Sequence, residues 1–418
     1  GRAIAAVEGT PINGVILSRQ LFLERFAYGQ AWSAPLPPDL AAFRDWAESY
    51  RRLVGTPERE AIEPEGVELA RRRRPIMHAM IIQEPQRALA VTVPAAVRQI
   101  LPASVLSELE LRVSGTGDYA LQASLPAPGE NGTAPSVRRT AFISGVTYTA
   151  HPYGRREAQL TKEAASLHGI ALDGELALHE SPLRVLEPGE VPLGVVASQC
   201  PVSNLALAPL ADGVGVNFGS LDVVEANGRV FEFCHSDDGM LEQFEARLTA
   251  AESRPGPRVN AFADAGTVVG RAIAADTPNT WTTGAKKVLL IRVDFFDVPG
   301  EPVSAGTVLQ TLDTSVNPFF EEVSYGQTTL VPTVSAKVYR MPQTAASYAI
   351  ANNFNQLHAD AIAAALAAHD VAGFDRVVVG FTNLGVSKVP GSLFSFGGKA
   401  DIDGSRIWIN GFFDLPTF

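Results

Sequence analysis

The chain has 418 residues, 46% hydrophobic and 19% charged, enough apolar material for two or three packed domains and little room for bulk disorder. A formal net charge of −11 excludes the basic surface with which nucleic-acid-binding proteins neutralise phosphates. No run approaches the roughly 20 apolar residues a membrane-spanning helix needs, so no membrane span is expected.

The 36 glycines and 29 prolines favour turns. The chain opens Gly1-Arg2 without Met, so a signal peptide, if one existed, is expected to lie outside this sequence. Up to about residue 110 the pattern is helical. Leu40, Phe43, Trp46, Tyr50 and Leu53 recur three or four residues apart and predict a helix over 40–53. A second helix is expected from Ala95, opened by Pro94, and a short one between Pro102 and Leu109. Arg71-Arg72-Arg73-Arg74-Pro75 lies between them and is expected to be a solvated helix end rather than a processing site or a contact for an anionic partner.

From about 111 to 275 short alternating runs broken by Gly, Pro and Asn predict a β-rich domain. They include Thr140–Thr149, Val214–Val224 and Arg229–Cys234, the last two joined by a hairpin at Asn227-Gly228. Asn131-Gly132-Thr133 matches a glycosylation sequon, but an ordinary exposed turn is the expectation. Cys200 and Cys234 are the only cysteines, too few for a disulfide scaffold though one bridge fits an exported protein. Two buried thiols are the other possibility. A linker is expected over Ala272–Pro278.

Beyond it, Lys287–Phe295 and Phe374–Phe381 read as strands buried on both faces. A short helix is expected over Pro318–Val323, a strand over Leu330–Tyr339 and a long Ala-rich helix over Ala351–His369. Alternation of this kind builds helices onto a sheet. No two of the seven histidines stand four residues apart, so no His-Glu-x-x-His is present; His358 and His369 are expected on a helix surface. A Gly-x-Ser-x-Gly elbow, a phosphate loop and a dinucleotide fingerprint are all absent, Gly397-Gly398 cannot cradle a phosphate alone, and Asp401-Ile402-Asp403-Gly404 is expected to be a plain turn.

One ordered series of segments is more specific. Lys287–Phe295 (KVLLIRVDF), Ser315–Gly326 (SVNPFFEEVSYG), Thr329–Tyr339, Asn355–Asp360, Phe374–Phe381 and Ser405–Phe413 resemble the front of the catalytic domain of secreted zinc metalloproteases of the gametolysin and immune inhibitor A type. In that family a strand ending in Asp-Phe leads to a helix with paired aromatics, then a Ser-Tyr-Gly turn and another strand. Tyr153–Arg156 and Leu167–Gly174 resemble, less specifically, a stretch that precedes the catalytic domain in bacterial relatives.

The resemblance implies an α+β multidomain chain. Residues 1–110 form a helical pro-region, 111–275 a β-rich accessory or pro-domain, and 284–418 the front half of a zincin-like catalytic domain lacking its active-site helix. The implied function is the N-terminal part of an exported, zinc-dependent endopeptidase, secreted as a zymogen and not catalytic as the chain stands. Zinc belongs to the full-length protein, its histidines and glutamate following Phe418, and none is bound here.

Substrate is implied to be peptide or protein. It is received on an exposed upper-rim strand at Ser392–Gly398, where Phe394, Ser395, Phe396, Gly397 and Gly398 lie, by main-chain hydrogen bonds. Core packing is the other reading of Phe394 and Phe396. Cys200 or Cys234 is a candidate fourth zinc ligand in the latent form. An apolar tail (Phe412, Phe413, Leu415, Phe418) is expected to be covered by the downstream segment of the same polypeptide. The alternative function is a non-catalytic extracellular binding or structural protein that keeps the protease-like scaffold.

Overall fold

In a computed structural model of the chain, the residues described are 28–127, 135–187, 190, 223–232, 243–249, 283–411 and 413–414. Cys200, Cys234, the sequon at Asn131, the linker Ala272–Pro278 and Phe412, Leu415 and Phe418 lie outside them. The fold is mixed α/β, with a large mixed sheet and several helices, and divides into two compact units. The first is Gly1–Asp118 with Tyr148–Val268, the second Tyr119–Thr147 with Val269–Phe418.

In the first unit, α1 (Pro38–Arg52) buries the expected face of Leu40, Phe43, Trp46 and Tyr50. It packs on α2 (Glu63–Gln83), which the sequence hid. Gly66 allows the two to approach closely, since a Cβ there would lie 2.0 Å from Trp46 Cζ2. The arginine run is not a solvated helix end; it stands inside α2, with Pro75 in the same helix. Arg73 is buried and bonds to buried Glu110 through both guanidinium nitrogens, Nη2 to Oε1 at 3.2 Å. Thr92 Oγ1 (2.7 Å) and Val93 N (3.1 Å) also donate to Glu110 Oε1. Burial raises the Glu110 carboxyl, but the charge and hydrogen bonds of Arg73 outweigh it and hold the group at about 2. The next helix, α3 (Pro85–Ala90), completes with Met77 and Ile81 a cluster against the strands.

Strand β1 (Leu111–Pro126) runs through both units; β2 (Ser136–Ile143) lies in the second and β3 (Val146–Pro152) crosses back. In the first unit β4 (Lys162–Leu172) and β5 (Glu175–Leu178) form an antiparallel hairpin around Asp173-Gly174, both at positive φ (53° and 84°). Beyond β6 (Arg184–Val185), β7 (Val223–Ala226) and β8 (Arg229–Glu232) form the expected hairpin, with Asn227 at φ 51° and Gly228 at φ 70°.

In the second unit β9 (Gly284–Asp294) is followed by α4 (Ala305–Thr311), a π-helical turn over Leu312–Val316 and α5 (Asn317–Val323). Then come β10 (Thr328–Val334), β11 (Tyr339–Arg340), α6 (Ala345–Ile350), α7 (Phe354–Ala365), β12 (Arg376–Phe381), β13 (Phe396–Asp401) and β14 (Arg406–Asn410). The strand order is β10-β9-β12-β14-β13-β1-β2. β10, β9, β12 and β14 are parallel, whereas β13 is antiparallel to β14 and to β1. Leu289, Ile291 and Val293 of β9 join the core under α6 and α7, while Val288 and Leu290 join the one under α4 and the π turn. Helices on both faces explain why β9 and β12 read as continuous apolar runs.

Two expected elements are shorter than the pattern implied. The strand over Leu330–Tyr339 stops at Val334, because Ser335 turns inward. Its Oγ accepts from Arg292 N (3.0 Å), and its carbonyl accepts from Arg292 Nε (3.0 Å) and Nη2 (2.8 Å). The helix over Ala351–His369 runs only from Phe354 to Ala365, since Asn352 at φ 51° separates it from α6.

Candidate functional site

The expected rim segment ends in β13, and its backbone edges are both used. On one side Gly398 pairs with Ile409 of β14. On the other, Asp401 pairs with Gln122, Lys399 with Ser124 and Gly398 with Leu125. Leu121 O accepts from Ile402 N at 2.7 Å, and Ala127 N donates to Ser395 O at 3.2 Å. The rim is therefore filled rather than exposed: residues 121–127 lie antiparallel along 395–402. The register slips by one between Leu125/Gly398 and Pro126/Phe396, leaving Gly397 as the extra residue of a bulge, where a side-chain-free position lets the strand bend.

Side chains fix this pairing. Gln122 Nε2 donates to Asp401 Oδ1 (2.8 Å), and Arg406 Nε donates to Asp401 Oδ2 (2.6 Å), all three residues being buried. At the start of β3, Thr147 Oγ1 accepts from Asn355 Nδ2 (3.3 Å), and Asn353 Nδ2 donates to Gly145 O (3.2 Å). Residues 121–127 are thus held along β13, and residues 145–147 at the N-terminal end of α7.

Beneath the strand, Phe394 (0% exposed) and Phe396 (4%) are core residues, packed with Phe354, Phe381 and Trp408. Their side chains are therefore not open to a ligand. Asn410 ties the layer together, its Nδ2 donating to Phe396 O (2.8 Å) and its Oδ1 accepting from Leu384 N (2.7 Å). Ser395 is exposed, and Gly397 and Gly398 are buried.

Lys399 places its ammonium 4.7 Å from the Phe354 ring centroid and 5.2 Å from that of Phe396. Burial pushes its pKa down to about 8, with Arg138 acting the same way and Asp401 opposing. His358 is not on a helix surface. It is 2% exposed, its Nε2 donates to Val377 O (3.1 Å) and its ring lies 5.1 Å from Trp408. Burial, seconded by the Arg406 charge, pulls it down to about 3, so it is a neutral core imidazole. In the first unit His168 and His179 are likewise buried, with rings stacked at 4.6 Å.

Asp401 ends β13 before the turn expected at Asp401–Gly404, where Asp403 takes φ 57°. Phe413 is not an exposed tail residue: it packs beside Gly380, where a Cβ would lie 2.7 Å from Phe413 Cε1. Among the described residues no three His, Cys, Asp or Glu side chains converge on a point, so they offer no zinc ligand set. No described helix is long and apolar enough to cross a membrane. No protein-family model, curated protein or solved structure matches the chain.

Proposed function

We propose that this chain is the pro-region and upper catalytic subdomain of an exported zinc-dependent endopeptidase, with β13 as its peptide-receiving rim and segment 119–147 as the strap that keeps the rim closed. The observation that carries the reading is the antiparallel pairing of residues 121–127 along 395–402, the geometry in which an extended peptide adds to a sheet edge. The order of elements supports it. A strand ending at Asp294, just before Phe295, a helix with Phe319-Phe320, a turn at Ser324-Tyr325-Gly326, a further strand, a long helix and then the mutually parallel strands β12 and β14, with β13 between them in sequence, follow in the order of the resemblance.

Within this reading, zinc is held by residues other than the described ones and would supply the activated water. No hydrolytic step is assigned to side chains of the described residues. Peptide or protein is the substrate, the downstream part of the same polypeptide packs against the C-terminal layer, and the protein acts outside the cell.

The test uses the protein with any downstream coding sequence included. Stoichiometric zinc, with peptidase activity that a chelator removes and that rises when the 119–147 segment is cut, is the expected result. A full-length protein with neither zinc nor peptidase activity would overturn the reading in favour of a non-catalytic extracellular binding protein.

A further inference from the structure

On the sheet face opposite α7, the second unit contains a cavity of about 540 Å³. Its floor is made by Val288, Val378 and Ile407, from β9, β12 and β14. Its roof is Leu312, Val316 and Phe320, from the π turn and α5. A single π turn interrupting a helix commonly marks a functional wall, because the extra residue widens the turn and redirects the side chains that follow. The volume falls within the range of small-ligand sites.

The lining also holds the uncharged polar residues Thr283, Ser324, Tyr325, Gln327 and Thr328, and its two charged side chains lie together. Lys286 lies near the start of β9 and Arg376 is the first residue of β12. Arg376 pairs with Val288, and Lys286 stands two residues before Val288 on the same face, so the two cations are diagonal neighbours at the N-terminal ends of parallel strands. Arg376 Nη1 donates to Asp375 O (2.9 Å), and Asp375 and Asp403 lie within its field. Asp375 has one carboxylate oxygen already accepting from Lys287 N (2.8 Å). A guanidinium stays charged when half-buried, and its planar fork suits a carboxylate.

We propose that this cavity binds an amphiphilic carboxylate, a medium-chain aliphatic acid whose tail fills the apolar space and whose head meets Lys286 and Arg376. The site is independent of the rim and of the peptidase reading. Two features select this ligand class: the floor and roof over the sheet are aliphatic and aromatic, and the only charged side chains in the lining are the cations Lys286 and Arg376.

The experiment is calorimetric titration of the whole chain with octanoate, decanoate and dodecanoate, and with decanol as the uncharged control, below their aggregation concentrations. One saturable site is expected, tightening about fourfold per added methylene while the tail still fits. Lys286→Gln with Arg376→Gln should weaken decanoate at least tenfold and leave decanol unchanged, and Val316→Trp should weaken every ligand at least tenfold. Because Val316→Trp could unfold the unit, hydrogen exchange on the unaltered protein gives a second readout: decanoate should slow exchange over 312–320 and 376–378. Absence of saturable binding, equal affinity for decanol and decanoate, or protection confined to other segments would overturn the proposal.

Discussion

Gln122 and Asp401, 279 positions apart, meet through one 2.8 Å hydrogen bond inside the second unit, both buried. Asp401 is also the acceptor for Arg406, so a single carboxylate links the strap to the last two strands of the layer. Gln122→Leu removes the strap's share but leaves the Asp401–Arg406 pair intact. Loss of a hydrogen bond to a charged group costs roughly 1.5–3 kcal/mol. The loss should appear locally, as faster amide exchange of 121–127 and 395–402 and earlier proteolysis within 119–147, with α7 unchanged. Uniformly faster exchange through the whole unit would mean that the strap is a permanent part of the core rather than a closure.

The Arg73–Glu110 pair makes the first unit sensitive to acid. The carboxyl sits at about 2 when folded, against 4.5 for an unperturbed glutamate, so its contribution is complete above pH 4.5 and lost as pH falls towards 2. A difference of that size is worth about 3 kcal/mol. Glu110→Gln should flatten the unfolding profile of this unit between pH 4.5 and 2. Arg73→Met, which strands a buried carboxylate, should cost roughly 3–5 kcal/mol at neutral pH. Chemical denaturation across that pH range checks both.

What the sequence disclosed and what it hid separate along physical lines. The Asn227-Gly228 hairpin was readable because both turn residues need positive φ, a purely local demand. Strands β9 and β12 were readable because burial on both faces gives the unbroken apolar runs Val288–Ile291 and Val377–Val379. Helix α2 was not, because its inward stripe of Gly66, Leu69, Ala70, Met77, Met80 and Ile81 carries Arg73 in the middle and Pro75 beside it. The segment Phe394–Gly398 could be singled out from its neighbours' order. Nothing local announced that its free edge would be taken by residues 121–127, or that Gln122, Asp401 and Arg406 would meet, since such contacts are set by topology.

His358 gives the second unit its own pH response. Its folded pKa is about 3, against 6.5 for a free imidazole, so the unfolded chain takes up a proton that the folded one refuses. The stabilisation is complete above pH 6.5 and declines by about 1.4 kcal/mol per pH unit as pH falls towards 3. His358→Gln should give a shallower decline over that window, though it starts from lower stability because the ring's packing on Trp408 is lost. Denaturation midpoints at pH 7, 5.5 and 4 decide this. Parallel profiles for the two proteins would show that the imidazole is protonated in the folded state.

Two glycine substitutions in helices should move stability in opposite directions. In an exposed helix, Gly→Ala gains about 1 kcal/mol from the lower entropy of the unfolded chain. Gly306 in α4 fits that case: it is exposed, and the nearest atom to an added Cβ is Ser304 Oγ at 3.9 Å. Gly306→Ala should therefore stabilise by about 0.5–1 kcal/mol. Gly66 in α2 has the same propensity gain available, but its Cβ would sit 2.0 Å from Trp46 Cζ2, and Trp46 is held by the bond from its Nε1 to Ile62 O (2.9 Å). The indole cannot swing away without breaking that bond and opening the α1–α2 contact, so overpacking outweighs propensity and Gly66→Ala should destabilise by roughly 1–3 kcal/mol net. Thermal unfolding of both variants checks the pair of signs, and a stabilised Gly66→Ala would show that α1 and α2 do not pack through Trp46.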